Sequence, residues 1–134
     1  MAVIAALANF GAVESLRVRG DAGATAAKIV ASAGLFRLGT IGLIVVAILD
    51  VLVAWGVYAT FRPERAGLAV SSGVLRVVYA AFFAVAIGQL FPVPGAAGSD
   101  PARAASLLSR FDRIWVMGCL FFGVHLAPVG ALVW

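Results

Sequence analysis

The chain has 134 residues, of which 63% are hydrophobic and 12% charged, with a mean hydropathy of +1.09. Soluble domains carry about 25% charged residues, so this composition excludes an ordinary water-soluble domain and predicts an all-α, multi-pass transmembrane helical bundle, with residues 1–134 as a single membrane domain. The net charge of +4 does not point to nucleic acid, because the basic residues fall singly or in pairs around the ends of apolar runs, where membrane anchors belong.

Met1–Val13 is apolar but would cover only about 20 Å as a helix, which predicts either a shortened first span or an interfacial helix. No Lys or Arg precedes it, so it does not read as a secretory leader. Glu14-Ser15-Leu16-Arg17-Val18-Arg19-Gly20-Asp21 is too charged for hydrocarbon and forms an interfacial connector. Arg17 and Arg19 also separate Glu14 from the membrane-embedded glutamate of small multidrug exporters. Asp21 is placed to cap a helix over 22–33, with Gly34 as its stop. Ala26, Ile29, Val30 and Ala33 share one face of that helix, which suits an interfacial position or a lid over the bundle.

Three firm spans follow, at 38–61, 68–91 and 114–134, each near the ~18–20 residues that cross a ~30 Å core. Arg62-Pro63-Glu64-Arg65-Ala66-Gly67 joins the first two of these as a tight hairpin. Pro92-Val93-Pro94-Gly95 opens the next connector, and Asp100-Pro101 supplies a cap and first helical residue for a second interfacial helix over 102–110. Cys119, the one cysteine, excludes an internal disulfide and reads as a packing residue inside the last span. Lys28 is the sole lysine beside nine arginines. With the Ala, Gly and Val content, that bias points to a bacterial chain in the plasma (inner) membrane.

Asp50 stands in the middle of the run 38–61, where an unpaired carboxylate costs roughly 2.5–3.5 kcal/mol on insertion scales. The hairpin makes the two flanking spans antiparallel. Asp50 then lies about 16 Å from the hairpin side and Arg76 about 12 Å, a gap that an arginine side chain closes. The row Ser72, Arg76, Ala80, Ala84, Gly88 is small except for the arginine, so this face should meet protein rather than acyl chains. His125 falls about 13 Å from the same side, and Tyr79, one turn from Arg76, offers a hydroxyl. Three residues beyond His125, Pro128 withholds an amide from the carbonyl of Val124.

Asp50, Arg76, His125 and Tyr79 therefore form an expected intramembrane polar cluster. Its structural reading is an ion pair that fixes helix register, with the protein acting through self-association or other membrane subunits. Its alternative is a proton or ligand site in a small transporter or lipid-binding protein. No nucleophile and base pair off, and no enzyme is expected. A single histidine falls short of the ligand sets of zinc or bis-histidine haem, so neither metal nor cofactor is expected. The partners expected are the lipid bilayer, a second copy or other subunits, and no nucleic acid.

Gly20-Asp21, Leu35-Phe36-Arg37-Leu38-Gly39, Leu49-Asp50, Arg62-Pro63, Arg76 with Tyr79, and Phe121-Phe122-Gly123 with His125 follow one another in a characteristic order and spacing. In these features the chain resembles the bacterial integral-membrane family known as domain of unknown function 4386. The resemblance implies a multi-helix membrane fold, with a fuller first span and further helices in its usual members. Against that pattern the chain is shorter at both ends, which marks it as a fragment, a misassigned start or a short variant. The resemblance implies no activity.

Overall fold

Asp21 opens the first regular helix, as its side chain accepts the Ala24 amide at 2.8 Å and so satisfies one of the donors that a helix start leaves unpaired. In the computed structural model, which describes residue 5 and residues 7–133, this helix is α1, Ala22–Ala31. It is followed by α2 (Ala33–Gly88), α3 (Val93–Ser99) and α4 (Pro101–Val133), with two tight helical turns, Asn9–Val13 and Glu14–Leu16, ahead of α1. The described residues contain no strand, and the protein is all-helical.

The long helix α2 is two arms. Arg65, at φ −139° and ψ 63°, breaks it into 33–64 and 66–88. Pro63 deletes one amide from the ladder, but the chain stays helical for one more residue and turns at Arg65. The arms run back along each other: a Cβ on Gly73 would lie 3.9 Å from that of Tyr58, and Asp50 reaches Arg76. Arg65 also donates to the Ala131 carbonyl, Tyr79 packs on Phe122, and Phe83 on Trp115. As one number rises its partner falls, so α4 is antiparallel to the second arm. Phe82 and Phe121, with ring centroids 5.0 Å apart, extend the same seam.

Several expected boundaries shift. α1 ends at Ala31, and Gly34 already lies inside α2, so the stop comes from Ser32 leaving helical geometry (φ −123°, ψ 36°) rather than from glycine. The connector after 91 holds two helical pieces instead of one: α3 is an addition. The expected helix 102–110 is continuous with the last span, because nothing between Arg110 and Ile114 interrupts the backbone ladder. Asp100 does cap this helix, accepting the Arg103 amide at 3.0 Å. Cys119 is exposed, not packed inside. Of the expected segment 1–13, residues 1–4 and 6 lie outside the described residues, as does Trp134.

The apolar core gathers at the end away from the Arg65 turn, where Ile29, Phe36, Phe83, Leu90, Val93 and Phe111 from all four helices are buried together. Farther along, the outer faces are apolar yet exposed, including Leu38, Ile48, Leu52, Val74, Leu120 and Trp55, the last 71% exposed. Contiguous apolar surface on this scale suits a lipid environment rather than water. Among the described residues, α2 and α4 are the helices long and apolar enough to cross a membrane.

Candidate functional site

The polar cluster forms where the two arms of α2 and the helix α4 meet. Asp50 is 3% exposed, Arg76 7%, His125 1% and Ser72 fully buried. Arg76 Nη2 lies 2.6 Å from Asp50 Oδ1, and Arg76 Nε donates to the Asp50 main-chain carbonyl at 3.3 Å. One guanidinium thus holds both the side chain and the backbone of a single residue on the facing arm, a charge-assisted contact with fixed direction.

His125 completes the cluster from α4. Its Nδ1 is 2.9 Å from the Ser72 carbonyl and 3.4 Å from the Ser72 hydroxyl. A carbonyl can only accept, so Nδ1 carries the hydrogen. Nε2 then presents a lone pair to Arg76 Nη1, 3.2 Å away, which can only donate. The neutral imidazole is the form that fits both contacts. The Phe122 ring lies 5.7 Å from the Arg76 guanidinium carbon and closes that side of the charge.

Asp50, Arg76 and His125 are brought together by these contacts, and Tyr79 is not joined to them by its hydroxyl. The Tyr79 ring packs on Phe83 at 5.8 Å and Phe122 at 5.2 Å, and its hydroxyl makes no hydrogen bond among the described residues. Ser72 and Phe122 are members that reading the sequence as a depth map does not supply. Ser72 was legible as part of the small row, but its backbone oxygen carries the contact, and backbone atoms leave no mark in residue type. No group of three His, Cys, Asp or Glu side chains capable of holding a metal occurs among the described residues.

A second ionic junction ties the lead segment to α4. Arg17 holds Asp112 in two parallel hydrogen bonds of 2.9 and 2.7 Å and also reaches Glu14. The bond to Asp112 is the main reason the Arg17 pKa is pushed above its ordinary value, against the opposing cost of partial burial. These residues are 95 positions apart, and the pairing exists only because α1 and the segment before it fold over the start of α4.

An all-helical protein with two membrane-length apolar helices and a buried, charged cluster between them defines a class of integral-membrane candidate rather than an activity. Within that class the chain belongs to the family described as Domain of unknown function (DUF4386), which it matches over residues 1–134. It is also similar to an uncharacterized protein of Archaeoglobus fulgidus, with 31% identity over 94 residues, covering 70% of this chain and 49% of the relative. The match thus spans about half the length of that curated relative. No solved structure matches the chain.

Proposed function

We propose that the chain is a three-span membrane module in which Asp50, Arg76, His125 and Ser72 act as a structural clasp, fixing the register of three helices whose outer faces meet lipid and other membrane subunits or a second copy. The break at Arg65 supports counting α2 as two spans, since each arm alone approaches membrane length. The observation that carries the structural role is that three helical segments are tied to one another through Asp50, Arg76, His125 and Ser72, all of them buried. Asp50, Arg76 and His125 each have a polar partner among the described residues, and the clefts about Phe10, Trp55 and Leu52 are lined by other side chains. A carboxylate serving as a proton or solute site needs an access path, whereas a register clasp needs the opposite. Ion pairs of this kind specify which packing forms more than they stabilise it, because desolvation offsets much of the attraction.

The test compares Asp50→Asn, Arg76→Gln and the double variant in membranes. Each single change strands a polar group in a dry site, so each should reduce folded yield and thermal stability, and the double change should recover a substantial part. Normal folding of Asp50→Asn, accompanied by loss of a pH-dependent solute flux, would replace the clasp with a transport site. Crosslinking in native membranes that finds only monomers, and no other subunit, would remove the association role.

A further inference from the structure

A cleft of about 810 Å³ lies outside the buried cluster, between the lead segment, the start of α1 and the first third of α4. Its volume falls within the ~300–1,000 Å³ typical of small-molecule sites. Phe10 lies between Ala8 and Ala12, which pack against Gly39, so Phe10 sits beside the start of the apolar arm. Glu14, Arg17, Arg19, Asp21 and Asp112 line the cleft around the last charged turn of α4 before its apolar stretch, interleaved with the apolar Val18 and Leu108. A lining that interleaves charged side chains with apolar ones, beside the start of an apolar helix arm, suits an amphiphile better than a soluble metabolite.

The charges inside select the headgroup. Arg17 and Asp112 neutralise each other through two hydrogen bonds, and one oxygen of Glu14 also accepts from Arg17. What remains is a cation, Arg19, which makes no ion pair among the described residues, and carboxylate oxygens on Glu14 and Asp21. The loop that carries them is set in advance. Gly20 takes φ +79°, and the Thr25 hydroxyl bonds both the Val18 and Asp21 carbonyls while accepting the Val18 amide at 2.9 Å. Little ordering is left for a ligand to impose.

We propose that this cleft binds a phospholipid headgroup in which a primary ammonium is tethered to the phosphodiester, the phosphoethanolamine type. Arg19 takes the phosphate oxygens, Glu14 and Asp21 take the ammonium hydrogens, and the Phe10 side receives the start of an acyl chain. A choline headgroup has the same net charge but no N–H to give the carboxylates. A glycerol headgroup brings an anion and leaves both carboxylates without a cation. The inference rests on the membrane placement of α2 and α4, and is independent of what the Asp50 cluster does.

The experiment uses the full chain in nanodiscs whose phosphatidylcholine is replaced in steps by phosphatidylethanolamine or phosphatidylglycerol, with retained lipid counted by native mass spectrometry. Phosphatidylethanolamine should be retained about tenfold more tightly than either other lipid, the scale of one charge-assisted contact. Arg19→Gln, at an exposed position, and Asp21→Asn, which keeps a capping side chain, should each abolish that preference with unfolding temperature unchanged. Equal retention of all three lipids, or undiminished preference in Arg19→Gln, would overturn the proposal. Soluble O-phosphoethanolamine should compete poorly. Competition as strong as the lipid's would overturn the lipid as the source of the group. Failure of the clasp reading registers separately, in the stability of the Asp50 and Arg76 variants.

Discussion

His125 and Ser72 are joined by a 2.9 Å contact from an imidazole nitrogen to a main-chain carbonyl, and this contact decides what the opposite nitrogen offers to Arg76. With Nδ1 committed as donor, Nε2 must accept, and the guanidinium has a partner on each flank. The cluster therefore depends on a side chain that donates at one end and accepts at the other. His125→Gln retains both functions on one amide and should lose little stability. His125→Phe retains the ring but leaves the Ser72 carbonyl and an Arg76 donor without partners, which should cost about 1–3 kcal/mol. Reversible unfolding in mixed detergent micelles, with the two variants compared side by side, reads the difference; equal losses would show that shape alone matters at this position.

The lead segment approaches α2 so closely that Gly39 has no room for a side chain. A Cβ there would sit 2.6 Å from the Ala12 Cβ and 2.9 Å from the Ala8 carbonyl oxygen, and the second of these is backbone that cannot rotate away. Gly39→Ala should push the segment 7–16 off the arm, at about 1–3 kcal/mol. Gly56→Ala, on the same arm with nothing within 4 Å, should cause no loss and serves as the control. Limited proteolysis of the connector 14–21 checks the location of the damage, with faster cleavage expected in Gly39→Ala alone.

The Asp50 to Arg76 contact was legible because two regularities constrain it. Helical rise fixes depth, and a short hairpin fixes antiparallel direction, so two numbers in the sequence become one relative height. His125 was reached by the same counting. The Arg17 to Asp112 junction follows no such rule, since it depends on how α1 and the lead segment dock, and docking is decided by many weak apolar contacts rather than by spacing. The start of the last span was drawn where charge gives way to apolar residues, yet a helix ends where its backbone geometry changes, and Arg110 to Ile114 contains no such change. Cys119 shows the same limit from another side: residence in an apolar helix does not say which face looks inward.

Arg17 sets a pH expectation with a definite sign. Its pKa is raised above its ordinary value, chiefly by the Asp112 hydrogen bond. A group raised on folding contributes in full below its unfolded pKa and loses that contribution only as pH climbs through the folded value. The Arg17 contribution is therefore flat through the working alkaline range. Arg17→Lys brings a group with an ordinary pKa of about 10.4 and cannot form two parallel bonds, so it should add a loss of stability above about pH 10 that the parent protein lacks. Because Asp112 is partly exposed, Arg17→Ala should cost only about 1 kcal/mol, shrinking further at high salt. Unfolding temperature against pH, for parent and Arg17→Lys together, separates this limb from alkaline effects common to both.

The proposed association through α4 has a built-in reporter. Gly123, Ala127 and Gly130 are exposed, and no heavy atom of a neighbouring element lies within 4 Å of a Cβ placed on Gly123 or Gly130. Small residues at this spacing let a second helix approach to backbone distance. Cys119 is exposed one turn before Gly123 on the same face, so two copies meeting there bring two thiols together. Mild copper-phenanthroline oxidation of membranes should then give a reducible dimer. Ala127→Leu places a bulky side chain in the middle of the face and should reduce that dimer severalfold, while Leu52→Ala, on the outer side of the first α2 arm, leaves it unchanged. A dimer that persists undiminished in Ala127→Leu would assign the association to another face of the bundle.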